Sequence, residues 1–222
     1  MIESATGLIL RTWPLTETSL IVEWLTAECG RMSTAAKGAR RPKSPFLGRL
    51  DVFYEADFTF SRSRRSELHT LREVRLRATH DALRRDLDRL AQAAYCARLI
   101  EQTTETDTPV PRIYELLRGV VAHLETHPAQ PQITFAFELK LLRELGLQPD
   151  PRRTSLSAET QRLLGRLLES DWDTAAGIAL TNSQLEELRL FLHGYIIYHL
   201  GRIPKGRALP RSAGAARTQE GG

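Results

Sequence analysis

The chain has 222 residues, of which 41% are apolar and 26% are charged, with a formal net charge of +4. These values are typical of a soluble globular protein and allow one large domain or two small ones. No stretch approaches the ~20 apolar residues of a membrane span, and the first residues lack the pattern of a secretory leader, so we expect a cytoplasmic protein. Its two cysteines, Cys29 and Cys96, are too few for a four-cysteine zinc site, and we expect no structural disulfide between them.

The first third of the chain contains segments whose composition and alternation favour β-strands, without a helical period. They are Ser4–Trp13, Thr18–Thr26, Arg31–Lys37, Asp51–Ser61 and Ser66–Leu76. In the fourth segment, alternation places Phe53 on one face with charged residues and puts on the other face Val52, Tyr54, Ala56, Phe58 and Phe60. Five short strands within about 75 residues predict a small closed barrel of the oligonucleotide-binding (OB) type, although an SH3-like barrel would show nearly the same pattern.

Two basic segments connect these predicted strands. The first, Lys37–Ser44, has four cations in seven residues: Lys37, Arg40, Arg41 and Lys43. Burying four unpaired cations would cost more than folding returns, so this loop must lie in water or against an anion. The second segment adds Arg62, Arg64 and Arg65. Closure of the barrel would bring the two segments near one another, and the alternative for each is a solvated surface turn.

The positive charge of the chain is concentrated near its N-terminus. Cations outnumber anions from Ser4 to Arg77, whereas the two signs are nearly balanced from Thr79 to Asp150. A basic unit joined to a mixed-charge remainder is typical of a polyanion-binding module on a scaffold.

From Thr79 onward, apolar residues recur three or four positions apart, which predicts amphipathic helices. The first helix is predicted over His80–Thr104, with Thr79 or Asp81 as its N-cap. Pro111 is well placed in the first turn of the second helix, which ends near His127. The remaining helices are predicted at Gln132–Leu145, from Ser157, at Asp173–Leu180, and from Asn182 or Ser183 to His199.

These elements predict an α+β protein in which an N-terminal OB-fold β-barrel is followed by an all-helical bundle. The predicted domains are 1–78 for the nucleic-acid-binding barrel, 79–201 for the helical domain and 202–222 for a basic tail. The tail is rich in glycine, alanine, proline and arginine and has no apolar period, so we expect it to be disordered.

The chain shows no pattern typical of catalysis, and we predict no catalytic residue, cofactor or metal. Its glycine-containing segments lack the Gly-Lys-Ser/Thr ending of a phosphate-binding loop. His123 and His127 have an i,i+4 spacing that can bind a metal, but the zinc-protease glutamate and an evident third ligand are missing. Asp86 and Asp88 lie among arginines, where ion pairing explains them better than acid–base chemistry. Cys96 is expected to be a small buried apolar residue.

Several residue groups resemble the N-terminal domain of the RecO family of recombination mediators. They are Thr16–Val22, Thr26 through Arg31, Lys37–Ser44, Gly48 and Leu50. Arg84–Leu87 with the helix after it, and Tyr195–Gly201 near the end, resemble the helical domain of that family. The resemblance covers nearly the whole chain to about Arg202, and Lys37–Ser44 in its strand context is its most specific part.

The resemblance implies a recombination mediator in DNA repair that binds single- and double-stranded DNA, anneals complementary strands and hydrolyses no nucleotide. It also implies two partners, RecR and single-strand-binding protein, with which such proteins load the recombinase onto coated single strands, and a nucleoid-associated location in the cytoplasm. Many members carry a four-cysteine zinc module after a Gly-Leu-x-Pro element, but here Gly146–Pro149 leads directly into Asp150–Arg153. The resemblance therefore implies no zinc in this chain.

We predict that DNA is bound without sequence specificity, because lysine and arginine side chains neutralise its phosphates. The predicted contacts are Lys37, Arg40, Arg41, Lys43, Arg62, Arg64 and Arg65. The aromatic residues Trp13, Phe53, Phe58 and Phe60 are more typical of a barrel core than of base-stacking platforms. Two alternatives remain, namely a non-catalytic scaffold whose basic loops dock the acidic tail of a partner protein, and an RNA-binding OB protein.

Overall fold

The computed structural model describes residues 2–207 of the chain. Its strands are β1 Ile2–Pro14, β2 Leu20–Thr26, β3 Gly30–Ala36, β4 Glu55–Ser61 and β5 Leu68–Ala78. Its helices are α1 Asp81–Arg84, α2 Leu87–Thr103, α3 Pro111–Thr126, α4 Pro131–Glu144, α5 Ala158–Glu169, α6 Trp172–Ala176 and α7 Asn182–Leu200, with a 3₁₀ turn at Pro151–Arg153 before α5. Residues 208–222 of the predicted tail lie outside the described residues. Within residues 2–207, no helix is both long and apolar enough to cross a membrane.

The five strands form a closed barrel in the order β1-β2-β3-β5-β4, and β4 returns to pair with β1. Neighbouring strands are antiparallel except β3 and β5, which run parallel and pair Ser33 with Leu68 and Ala35 with Thr70. This strand order is that of an OB fold. The predicted OB barrel followed by helices is therefore confirmed.

Strand β1 pairs with two neighbours, with β4 along its N-terminal half and with β2 along its C-terminal half. The two pairings overlap at Gly7 and Leu8, and Gly7 faces Thr26 of β2 and Ala56 of β4. A Cβ atom on Gly7 would lie 2.8 Å from the carbonyl oxygen of Leu25. Glycine at this position therefore allows three strands to approach one another.

The barrel core is built from inward-facing side chains of all five strands. Trp24 stacks on Phe58 with ring centroids 4.1 Å apart, and its indole N–H donates to Thr34 Oγ1 at 2.9 Å. Ala56, Phe58 and Phe60 are each no more than 2% exposed. The alternation of the sequence therefore assigned these three residues to the correct face.

The assignment of Phe53 to the charged face is wrong. Strand β4 begins only at Glu55, and Phe53 precedes it with a φ of 65°. The backbone N–H of Phe53 donates to the carbonyl of Ile9 at 2.8 Å, and its side chain is buried. This left-handed residue turns the chain, so the alternation of the strand does not extend back to position 53.

The chain divides into two compact units, called here the barrel unit (Met1–Asp81 with Ile100–Val121) and the helical unit (Ala82–Leu99 with Ala122–Gly222). The link between α2 and α3 belongs to the barrel unit, where the N–H of Asp107 donates to the carbonyl of Arg31 at 2.8 Å. Gly30 has a φ of 68°, and a Cβ atom there would lie 1.8 Å from the carbonyl oxygen of Thr108. The domain limits 1–78 and 79–201 stay predictions, and these units differ from them by including residues 100–121 with the barrel.

The single helix predicted over His80–Thr104 is interrupted. The carboxylate of Asp86 accepts the backbone N–H groups of Asp88 at 3.0 Å and Arg89 at 3.2 Å, so α2 begins at Leu87 with Asp86 as its cap. Leu87, the first residue of α2, is 79% exposed. Arg89 also pairs with Asp86 at 3.2 Å, in agreement with a structural role for that carboxylate.

Other helix starts agree more closely with the sequence. Pro111 begins α3 and Ser157 caps α5, as predicted. At α7, however, the capping box is formed by Thr181 and Gln184, rather than by a cap at Asn182 or Ser183. On α2, Cys96 is fully buried as predicted.

Candidate nucleic-acid interface

The basic loop, defined here as Lys37–Ser44, is a series of tight turns that leaves β3. Gly38 takes a φ of 70°, and its carbonyl accepts the N–H of Arg41 at 3.1 Å. The next turn is closed by the N–H of Ser44 and the carbonyl of Arg41 at 3.0 Å. Between the charged residues, Ala39 is buried and packs in the barrel core. This inward anchor leaves the long charged side chains on the outside.

The basic loop is also attached to the turn between β1 and β2. The N–H of Arg40 donates to the carbonyl of Thr18 at 3.0 Å, and the N–H of Gly38 donates to Ser19 Oγ at 3.3 Å. The turn itself is held by Thr16 Oγ1, which accepts the N–H of Ser19 at 3.1 Å. The backbone of the loop is therefore positioned before any ligand binds.

The four cations of the basic loop are exposed and lack carboxylate partners. They are Lys37, Arg40, Arg41 and Lys43. Among residues 2–207, no side chain forms an ion pair or a side-chain hydrogen bond with any of them. Four unneutralised charges on one positioned loop create a local positive potential that attracts polyanions.

Arg62, in the second basic segment, has a different environment from the basic loop. Its Nε and Nη2 atoms donate to the two carboxylate oxygens of Glu3 at 2.9 and 3.0 Å, and its Nη1 donates to Asp107 at 3.2 Å. The hydrogen bond from Arg62 lowers the pKa of Glu3. Arg64 and Arg65 are exposed and have no ion-pair partner among the described residues. The charge of Arg62 is thus already neutralised by carboxylates of the barrel unit, whereas the charges of Arg64 and Arg65 are not.

The register of the barrel keeps the two basic segments apart. The β4–β5 turn that carries Arg64 and Arg65 enters β5 at Leu68, which pairs with Ser33. Lys37 lies four residues further along β3, which corresponds to about 13 Å at the usual rise per residue. The barrel closes as predicted, but the two basic segments lie at different heights along its strands rather than side by side.

A cavity of about 370 Å³ lies between the continuation of the basic loop and strands β4 and β5. It is lined by Arg49, Arg72 and Arg75 together with the carboxylates of Asp57 and Glu73. Arg49 donates to the carbonyl of Val74 at 3.1 Å, and Arg72 donates to Ser61 Oγ at 2.9 Å. Sequence reasoning missed these arginines, because Arg49 lies in the segment before β4 and Arg72 and Arg75 lie on β5, so that only folding brings them to one cavity.

One aromatic side chain of the barrel is accessible beside the β1–β2 turn. Trp13, near the end of β1, is 36% exposed, and the guanidinium of Arg11 lies 5.7 Å from its ring centroid. Phe53, Phe58 and Phe60 are each no more than 2% exposed. Phe58 and Phe60 therefore lie in the core as predicted, and Phe53 is buried there too, against the alternation that placed it on the charged face. Trp13 remains accessible to a ligand.

Comparison with known proteins gives matches over nearly the whole chain. The family model described as Recombination protein O N terminal matches residues 1–80. The model described as Recombination protein O C terminal matches residues 84–152 and 149–208.

Individual relatives agree with the family models. DNA repair protein RecO of Anaeromyxobacter dehalogenans is 30% identical over 231 residues, which cover 89% of this chain and 91% of the relative. The proteins of the same name from Rhodopirellula baltica and Bacillus subtilis are 32% and 31% identical over 150 residues, which cover 68% of this chain and 56% and 58% of those relatives. With both family models and these relatives in agreement, the chain belongs to the RecO family.

Proposed function

We propose that this protein is a recombination mediator in DNA repair. It binds single- and double-stranded DNA without sequence specificity and anneals complementary strands. With RecR, it helps to load the recombinase onto DNA coated by single-strand-binding protein, so its place is at the nucleoid. The observation that carries the proposal is the basic loop, which presents four exposed and unpaired cations on an OB barrel. Membership of the RecO family and the repair role in the names of its relatives support it.

The proposed mechanism is electrostatic and needs no catalytic residue. Cations that contact phosphates release the counterions condensed on DNA, so affinity falls steeply with salt and depends little on sequence. Six exposed cations remain after Arg62, which is paired with Glu3, is set aside. If all six met phosphates of single strands, the slope of log affinity against log salt would be about −4. Lowering the repulsion between two strands bound to one protein lets them pair without ATP.

Trp13 supplies a second kind of contact. Its partly exposed ring lies at the end of β1, next to the turn to which the basic loop is attached. Stacking of a base on an aromatic ring contributes about 1–3 kcal/mol to the binding free energy, and any of the four bases can stack in this way. Stacking requires an unpaired base, so this contact favours single strands over duplex.

The test is annealing of two labelled complementary oligonucleotides by the purified protein, without ATP, across a salt series. We expect fast annealing that declines as salt rises. The double variant Arg40→Gln/Arg41→Gln should lower single-strand affinity and make the salt slope shallower by about 1.4. Arg152→Gln/Arg153→Gln is the matched control, because these adjacent arginines are also exposed but lie in the helical unit.

Three results would contradict the proposal. Absence of binding and annealing at low salt would exclude an intrinsic DNA activity. Unchanged DNA affinity in the Arg40/Arg41 variant, with loss of binding to a protein partner, would favour the scaffold that docks an acidic tail. Preference for RNA over DNA of the same sequence would instead favour the RNA-binding alternative.

A further inference from the structure

A cluster of two histidines and one aspartate lies in the helical unit, away from the basic loop in the sequence. His123 lies in the last turn of α3, His127 follows just after the helix ends at Thr126, and Asp173 lies in the first turn of α6. The sequence shows the histidine pair without a third ligand, and folding provides it in Asp173. The potential ligand atoms of all three residues lie within 4.8 Å of one another. We propose that His123, His127 and Asp173 bind one divalent transition-metal ion, with Zn²⁺ as the expected ion.

The distances in the cluster are close to those of a coordination sphere. Oδ1 of Asp173 lies 2.9 Å from Nδ1 of His123 and 4.0 Å from Nδ1 of His127. Bonds of about 2.1 Å place neighbouring ligands of a tetrahedral zinc ion about 3.4 Å apart. The two imidazole rings are parallel to within 3°, with centroids 4.3 Å apart, so each ring must tilt for both lone pairs to meet at one ion.

The donor set selects the class of metal. Two imidazoles and one carboxylate suit zinc and its neighbours in the first transition series, whereas Mg²⁺ and Ca²⁺ prefer oxygen ligands. The carboxylate side chain of Asp173 is 77% exposed, so water can complete the coordination on that side. Neither cysteine takes part, which separates this site from a four-cysteine module.

Coordination competes with hydrogen bonds that already exist in the cluster. It would replace the bond between His123 and Asp173, and that between His127 Nδ1 and Thr126 Oγ1 at 2.9 Å. Nε2 of His123 is buried and has no hydrogen-bond partner among the described residues. Ligand histidines usually donate that second N–H to an acceptor, and losing such a partner weakens metal affinity by about 10–100-fold. We therefore expect micromolar affinity.

The test uses the full-length, untagged chain after treatment with a chelator. Co²⁺ is titrated as a spectroscopic probe, and Zn²⁺ is then added as the competitor. We expect one Co²⁺ per chain, displaced by Zn²⁺, and a Co²⁺ affinity at least tenfold lower in Asp173→Asn and in His127→Ala. Asparagine can still accept a hydrogen bond from His123, and His127 is half-exposed, so both variants should fold. In the wild-type chain alone, Zn²⁺ at one hundred times its Kd should raise the Tm by about 5–10 °C.

Two controls separate the proposed site from incidental binding. His199→Ala removes an exposed histidine on α7, and Cys29→Ser removes the only thiol of the chain that is partly accessible. Both should retain wild-type Co²⁺ affinity. The proposal is overturned if no saturable Co²⁺ binding occurs in the micromolar range, or if Asp173→Asn and His127→Ala bind as the wild type does. The cluster would then be only a hydrogen-bonded contact between α3 and α6.

Discussion

Replacing Arg207 with alanine should strongly destabilise the helical unit, because it would leave a buried carboxylate without its counterion. Glu138 on α4 is fully buried, and the side chain of Arg207 is only 8% exposed. The Nε and Nη2 atoms of Arg207 donate to the two oxygens of Glu138 at 2.6 and 2.8 Å. The hydroxyl of Tyr95 donates to the same carboxylate at 2.6 Å, and burial raises the pKa of Tyr95, which keeps it a donor.

The magnitude follows from the burial of the pair. Removing one partner of a buried ion pair costs about 3–5 kcal/mol, mostly because the other charge stays buried and uncompensated. For a chain of this size, each kcal/mol lowers the Tm by about 2–4 °C. Arg207→Ala should therefore lower the Tm by about 6–20 °C. Glu138→Gln combined with Arg207→Met removes both charges and keeps an acceptor for Tyr95, so it should recover most of this loss.

The assay is thermal and urea unfolding of the full-length variants, followed by circular dichroism. Arg189→Ala is the matched control, because Arg189 pairs with Glu186 at an exposed position and should cost about 0.5 kcal/mol or less. A loss below about 1 kcal/mol for Arg207→Ala would refute the reasoning, since an uncompensated buried carboxylate cannot be that inexpensive. Because Arg207 is buried, its loss should leave the salt slope of DNA binding unchanged.

Two further predictions concern the barrel. Trp13→Ala should weaken single-strand binding by about 5–150-fold and duplex binding much less, measured by fluorescence anisotropy, and equal losses on both would argue against stacking. Arg62→Gln should destabilise the barrel at neutral pH but leave the salt slope of DNA binding unchanged, because its charge is matched by Glu3 and Asp107. Arg62 lowers the pKa of Glu3, so the stability that this ion pair contributes is present above the unfolded pKa of about 4.5 and is lost as the pH falls through the lower folded pKa. The free energies of unfolding of wild type and variant, measured by urea melts, should therefore converge in acid. A constant difference down to low pH would contradict this linkage.

Local features of the sequence were sufficient for the element types and the basic loop. Alternation identified the buried face of Ala56, Phe58 and Phe60, because a strand has a period of two. A proline and a serine marked the starts of α3 and α5, since the first turn of a helix has unpaired N–H groups. The exposure of the four cations of the basic loop followed from the cost of burying unpaired charge.

The contacts of each charged or polar group depend on the folded structure. The sequence presents Arg62 and Arg64 as equal members of one basic segment, but only folding brings Glu3 and Asp107 to Arg62. In the same way, the sequence presents Arg207 as one cation of a basic tail, but in the folded chain its guanidinium donates to Glu138 on α4.

The same limit applies to the candidate metal site. His123 and His127 are visible as a helical pair, whereas Asp173 is 46 residues beyond His127 and joins them only through packing of α6. Periodicity and capping are local properties of a chain, so strands, helices and the need for an exposed cationic loop could be predicted from the sequence. Ion pairs and ligand sets join residues that are distant in sequence, and for that reason folding was needed to show which cations remain unpaired.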